Sequence, residues 1–453
     1  MSMGMSMRKL AAAGLAAATL LSVAACGGQS ASNTAGGSAD GGKTEITVWA
    51  WEPLISKTVE GFEKENPDIT VKVVNAGTNN DEYTALSNAV NAGSGAPDLV
   101  QLDYNAVPQF AYSDALEDLS QYGGDKILDK FTTGAQAGVT VDGKMYGMPM
   151  GTGPMALFYN KEVFDKAGVT EAPKTWDEFY EAAKKIHALG SDVYITSDTG
   201  DAGFFDSMTW LAGATPFETS ADGSQVTVSL TSDPKVKSFE DFWQKLLDEG
   251  LLDTKTSGWS DDWFKGMVDG TIASLITGAW MPGNLVGSAA DGAGKWRVAP
   301  TPTADGSATN AENGGSSLAV LASSEKQDAA YKFIEYANHG DGVKTRVDGG
   351  AFPADTKSLS DADFLAKTTV KDKDGKDVEY FGGQKYNEVL AQAAKDVSTD
   401  YKFLPFEVYA RGKFGDFLGA SYTGSQKLSD GVAAWQKDIV DYGNRQGFTM
   451  KEG

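Results

Sequence analysis

Residues 45–103 read EITVWAWEPLISKTVEGFEKENPDITVKVVNAGTNNDEYTALSNAVNAGSGAPDLVQLD. Glu45 to Trp49 form a short β-branched run with the composition of a strand. Pro53 then opens a helix that places Ile55, Val59 and Phe62 on one face, closed by Asn66-Pro67. Ile69 to Val74 predict a second strand. Tyr83, Leu86 and Val90 mark a second helix, ended by the turn residues Gly93 to Pro97. Asp98 to Leu102 predict a third strand. Strands that alternate with helices through short loops build a mostly parallel α/β layer.

The same grammar continues downstream. Thr175 and Glu178 are spaced as a capping box ahead of Phe179, Ala183 and Ile186. Asp233-Pro234 begins a helix presenting Phe239, Trp243, Leu246 and Leu247. Ser324 and Gln327 are read as capping a helix with Phe333 and Ile334, and Ser429 as opening a last helix with Val432, Trp435, Ile439 and Tyr442 on one stripe. Hairpin turns are expected at Asp142-Gly143, Asp222-Gly223 and Asp374-Gly375. No repeat of solenoid period is present.

Arg8 and Lys9 precede an apolar run from Leu10 to Ala25, shorter than the roughly 20 residues of a membrane-spanning helix, so residues 1–25 read as a secretory signal. Val23-Ala24-Ala25-Cys26 resembles the lipobox of bacterial lipoproteins, which implies cleavage before Cys26 and lipidation of its thiol. It is the chain's single cysteine, so no disulfide forms within one chain. Gly27 to Gly42 are rich in Gly, Ser, Ala and Asn, the composition of a flexible tether. Removing 25 of the 453 residues leaves 428 and takes the net charge from −23 to −25. A body of that length normally divides into two domains. Its acidity argues against nucleic acid and against charge-driven adhesion to anionic lipid. Membrane association is thus expected through the lipid alone.

Three stretches of the mature chain, ITVWAWEP at 46–53, APDLVQLD at 96–103 and VDGKMYGMPMGTGPMALFYNKEVFDKAG at 141–168, resemble the extracellular sugar-binding proteins of bacterial ABC importers, solute-binding protein family 1. The likeness continues through TWDEF at 175–179, GTIASLITGAWMPGNL at 270–285 and GGSSLAVLASSEKQDAAYKFIEYA at 314–337. It implies a two-lobed, periplasmic-binding-protein-like α/β fold, each lobe a mixed, mostly parallel sheet flanked by helices, with ligand in the cleft between them. By that analogy residues 26–43 form the lipidated tether, lobe one comprises about 44–150 with 298–352, and lobe two 155–297 with 356–453. Gly151, Gly153, Pro300, Pro302 and Gly349-Gly350 are the expected crossing positions.

A neutral oligosaccharide offers flat C–H faces to aromatic rings and a fringe of hydroxyls to Asp, Glu and Asn. In lobe one, Trp51 and Glu52 follow the first strand, Asn79 and Asn80 the second, and Asp103 the third, at the strand ends where open α/β sheets bind ligands. Helix capping or turn chemistry is the competing explanation for these polar residues. In lobe two, Trp210, Trp259 and Trp280 fall near loops, whereas Trp49, Trp176, Trp243 and Trp435 lie on strand or helix faces and read as core. Asn313-Gly314-Gly315-Ser316 resembles a family position where the backbone comes close to the sugar, which offers Gly314 and Gly315, and Gly153 at the expected crossing is a candidate beside them. Phe381 and the Arg411-Gly412 pair are further candidates.

Catalytic signals are sparse. The two histidines, His187 and His339, both sit in helical patterns, which supports neither a nucleophile relay nor a histidine metal site. Asp372 to Asp377 miss the calcium-loop template, since Gly falls at position 4 instead of 6, and read as a hairpin turn. The expected function is that of a monomeric, lipid-anchored binding protein outside the cell membrane, which delivers an oligosaccharide to ABC permease subunits without cofactor, metal or turnover. A secreted glycosidase, and a binding protein for a peptide or polyamine, are the alternatives.

Overall fold

The computed structural model describes residues 43–453, so the signal, Cys26 and the tether at 27–42 lie outside the described residues. Five strands form the first sheet: β1 (Thr44–Trp49), β2 (Ile69–Val74), β3 (Leu99–Asp103), β4 (Met148–Gly151) and, much later in the chain, the strand Ser316–Val320. Between the last two run β5 (Met155–Asn160), β6 (Ser274–Gly278) and β7 (Trp296–Pro300), which make a second sheet, so Ser316–Val320 is β8. The first sheet has the order β2-β1-β3-β8-β4. β1 is parallel to β2 and β3, and β8 runs antiparallel to β3 and β4.

Alternation along each strand covers both faces of both sheets. Ile46, Val48, Leu318 and Val320 enter one apolar cluster, while Val100, Leu102 and Ala319 enter another on the opposite face. In the second sheet Met155 and Leu157 face one core and Ala156 and Phe158 the other. The two lobes each have a sheet buried between helices, as the family resemblance implies.

The second sheet departs from the expected parallel pairing, because both β6 and β7 run antiparallel to β5. β5 carries the chain into lobe two and β7 carries it back towards lobe one, so neighbours on these paths run in opposite directions. The return also comes later than expected. β7 still belongs to the second sheet, Trp176 Nε1 donates to the Pro302 carbonyl, and Asn310 bridges to Val397. Pro300 and Pro302 are therefore fixed to lobe two, and the chain crosses near Ala311 to Gly315 before β8. The first crossing lies between β4 and β5, and a Gly151–Pro353 bridge marks the third.

Local signals acted largely as read. Thr175 and Glu178 form the reciprocal capping box, and Asp233 caps the helix Pro234–Asp248. Two caps differ. The helix Gln327–Asn338 has Lys326 at its N-cap, and the Ser324 hydroxyl donates to Asp98 and accepts from the Lys326 N–H ahead of the helix. The last helix, Leu428–Gln446, begins one residue before Ser429, with Lys427 at its N-cap.

Candidate functional site

The strand ends and loops of the two lobes enclose a cavity of about 600 Å³, inside the range of roughly 300–1,000 Å³ common for small-molecule sites. Lobe one contributes Asn79, Asn80, Tyr83, Asp103 and Asn105. Lobe two contributes the loop from Thr196 to Phe204, the segment from Thr256 to Trp259, and Trp263, Thr277, Trp280 and Arg411, while Asn313 and Gly314 come from the crossing.

Each polar group has a defined setting. Asp103 ends β3, and its Oδ1 accepts from Ser316 Oγ at 2.6 Å while its N–H donates to the Tyr83 hydroxyl at 3.1 Å. Burial raises the Asp103 pKa, and Ser316, Tyr83 and the Arg411 charge from the other lobe draw it back. Asn79 stands at the N-cap of the helix Asn80–Ala92 with φ +52° and makes no capping bond, so its amide faces the cavity uncommitted to the helix. Arg411 Nε donates to Asp206 at 2.8 Å and to Glu407 at 3.2 Å. Burial raises the pKa of both carboxyls, and the guanidinium opposes this.

The aromatic wall is built on Trp280, which emerges just after β6. Its Nε1 donates to the Asn313 carbonyl at 2.7 Å, which fixes the ring. Trp259 stacks on it with centroids 5.5 Å apart and planes at 29°, and Trp263 closes the cluster with its Nε1 on Ser197. Trp259 is 57% exposed and has φ +67°, a left-handed backbone that costs a large residue about 1–2 kcal/mol. Asn313 Oδ1 accepts from Thr277, and its Nδ2 donates to Ser207 at 3.0 Å. A Cβ at Gly278 would collide with both the Trp280 indole nitrogen and the Asn313 carbonyl. Gly278→Ala is accordingly expected to push the ring off its acceptor and weaken ligand binding about tenfold or more; titration calorimetry checks it, and wild-type affinity would contradict it.

The cavity thus gathers Asn79, Asn80, Asp103, Trp259, Trp280 and Gly314 from the sequence candidates, and Arg411 with them. Others lie elsewhere. Trp210 is buried in the core of lobe two, stacked on Tyr401 with its Nε1 on the Ser398 carbonyl. Phe381 is fully buried between Phe158 and Tyr386. Glu52 is held by Arg346, and Trp51 packs edge-on behind Tyr83, so neither lines the cavity. Gly153 belongs to the first crossing, and Gly315 packs under the Tyr104 ring. The sequence reading missed Tyr83, Asn105 and the Thr196–Phe204 loop. Tyr83 also satisfies the apolar stripe of its helix, and the loop carries no compositional mark.

Several buried carboxyls titrate far above their ordinary value of 4.5. Burial and the Asp103 charge push Glu82 to about 8, and burial pushes Glu240 to about 7. Between pH 4.5 and 8 the folded chain therefore holds more protons than the unfolded chain, so stability falls as pH rises through that window. Self-repulsion of a chain with net charge −23 acts in the same direction. Calorimetric scans should give a Tm at pH 5.5 about 5 °C or more above that at pH 8.5. A Tm that rises with pH would contradict these assignments.

Residues 41–338 match the family described as bacterial extracellular solute-binding protein. The chain belongs to this family. The binding protein is also similar to the solved ABC transporter associated binding protein from B. animalis subsp. lactis Bl-04 in complex with beta-1,6-galactobiose, at 63% identity and TM-score 0.82, over 90% of this chain and 100% of that one. A second similar structure is the galacto-N-biose-/lacto-N-biose I-binding protein of the ABC transporter from Bifidobacterium longum in complex with lacto-N-biose, at 27% identity and TM-score 0.77, over 91% of this chain and 100% of that one. Among curated relatives, the lactose-binding protein of Rhizobium radiobacter is 27% identical over 345 residues, 72% of the binding protein and 74% of the relative.

Proposed function

We propose that this solute-binding protein captures a short galactose-containing oligosaccharide between its lobes, with a β-1,6-linked digalactoside as first candidate, and hands it to the permease of an ABC importer. The observation that carries this reading is the fixed Trp280 ring with Trp259 beside it, set opposite Asp103, Asn79 and Asn80 in one cavity. Rings meet the C–H face of galactose and the carboxylate and amides meet its hydroxyls. The 63% identity to a protein solved with beta-1,6-galactobiose supports the choice of sugar. Contacts from both lobes to one ligand favour the closed state over the open one, so the sugar shifts that equilibrium.

Lipidation of Cys26 would hold the protein at the outer face of the membrane beside its transporter. Cys26→Ser is expected to abolish incorporation of a labelled fatty acid into the protein; labelling equal to that of wild type would contradict the anchor.

Thermal-shift screening of the folded body against β-1,6-galactobiose, lacto-N-biose, lactose, an arabinooligosaccharide, a short peptide and spermidine tests the ligand class. Ligand at 100 times Kd adds about 2.7 kcal/mol of stability. A Tm increase with the galactosides and none with peptide or polyamine is the expected result. Stabilisation by spermidine or peptide alone would overturn the reading.

A further inference from the structure

Glu312 lies in the second crossing and is 4% exposed, yet no Lys or Arg forms a salt bridge to it among the described residues. An isolated buried carboxylate is costly, so its surroundings define what it is held for. Its two oxygens take donors from consecutive residues of the first crossing: Oε1 accepts from the Thr152 hydroxyl, and Oε2 from the Gly153 N–H. The backbone repeats the tie, since Asn313 N–H donates to the Gly153 carbonyl at 2.7 Å and Pro154 bridges to Glu312. Space for the carboxylate is provided by two glycines. A Cβ at Gly134 would stand 2.7 Å from Oε1, and one at Gly315, where φ is +92°, 3.4 Å from Oε2.

The clamp adjoins the ligand cavity without lining it. Asn313 and Gly314, the next two residues, line the cavity, and the Asn313 carbonyl holds the Trp280 ring. On the other side, the Glu312 carbonyl accepts from Ser207 Oγ at 2.9 Å, and Ser207 also receives the Asn313 amide. Thr152 and Gly153 join β4 of lobe one to β5 of lobe two, the kind of short link between elements in which hinge rotation is absorbed.

We propose that Glu312 is a positioning residue for lobe closure: its ionised carboxylate clamps the first crossing to the second and thereby sets Asn313, Gly314 and the Trp280 ring in their sugar-binding arrangement. The carboxylate touches no sugar. It acts by raising the fraction of molecules in the binding-competent state, which multiplies the apparent affinity.

The clamp is sensitive to protons. Burial lifts the Glu312 pKa to about 7 against the two donors that lower it. The ionised form accepts both bonds at once, whereas protonation takes one oxygen out of that role. Affinity therefore falls as pH drops from 8 to 6. The groups packed around it are Tyr104, whose hydroxyl donates to the Gly151 carbonyl and which feels Asp103 and Arg346, and, behind Ser207, the Asp206–Arg411 pair.

The test compares wild type with Glu312→Gln and Thr152→Val. Amide hydrogen exchange in the sugar-free protein reads the clamp directly, and calorimetry with β-1,6-galactobiose at pH 6 and pH 8 reads its effect. Glu312→Gln is expected to speed exchange at Gly153 and Asn313 at least tenfold, to weaken binding about tenfold at pH 8, and to flatten the pH profile of the wild type. Thr152→Val, which keeps the carboxylate and one bond, should shift both in the same direction by less, and decides the matter if the first variant does not fold. Unchanged exchange at Gly153 in the folded variants, or a pH profile that Glu312→Gln leaves intact, would overturn the proposal. Because it rests on the sugar-binding reading only for the calorimetry, a wild type that ignores galactobiose would retire that choice of sugar, and the exchange data would still judge the clamp.

Discussion

Trp280→Ala is expected to weaken sugar binding about 30-fold, roughly 2 kcal/mol, while the protein stays folded. Three losses add together at this position. The sugar loses its fixed aromatic face, and the Asn313 carbonyl loses the N–H that fills it. Trp259, which stacks on the removed ring, also loses the partner that orients it above a strained backbone. The ring is only half-buried, so fold stability should change far less than at a core tryptophan. Trp210→Ala supplies the contrast, because that side chain is 5% exposed and stacks inside lobe two. A buried Trp→Ala change costs about 3–5 kcal/mol of stability, so this variant should lose Tm strongly. Calorimetry and urea unfolding of the two variants separate binding from folding. Equal affinity in Trp280→Ala and wild type would remove Trp280 from the site.

Arg411→Ala should be the most destabilising single change at the cavity. The guanidinium is the shared partner of Asp206 and Glu407, whose side chains are 1% and 0% exposed. Its removal leaves two buried carboxyls facing each other, a loss of about 3–5 kcal/mol. Without the cation both carboxyls hold their protons to higher pH, so the folded state takes up protons that the unfolded state does not. The loss should therefore be larger at pH 8 than at pH 6. Arg411→Lys should recover part of the stability, since one ammonium cannot reproduce the paired N–H geometry. Urea denaturation at both pH values measures this. A loss that shrinks as pH rises would contradict the arrangement of charges.

What was legible in the sequence follows the range of the interactions. Strands and helices from Glu45 to Asp103 are set by local periodicity and turn residues, and they formed within a residue or two of their expected ends. Asp103 and Trp280 stood out because a strand end in such a fold opens onto the cleft, which is a local inference. Glu52 looked identical by that rule, but its partner Arg346 lies 294 residues away and binds it into the fold. Trp210 and Phe381 failed for a related reason. A tryptophan or phenylalanine near a loop is apolar enough to be buried, and only the packing of Tyr401 or of Phe158 and Tyr386 decides that it is. The antiparallel second sheet was equally hidden, since strand direction there depends on where the chain re-crosses between lobes.

The Asp198 carboxyl illustrates how the site's electrostatics depend on such distant partners. It is buried, accepts from Gly200 N–H and Trp243 Nε1, and is raised by burial to about 6. Trp243 read as plain core, yet its indole nitrogen steadies the loop that forms one wall of the cavity.

The proposed function requires the cleft to capture a galactose-containing oligosaccharide and to release it unchanged. Calorimetric titration of the wild-type body with β-1,6-galactobiose, followed by chromatography of the recovered sugar, tests it most directly. Saturable binding of one sugar per protein is expected, with the disaccharide recovered intact. No heat of binding with this or any other galactoside, or galactose released during the titration, would contradict it.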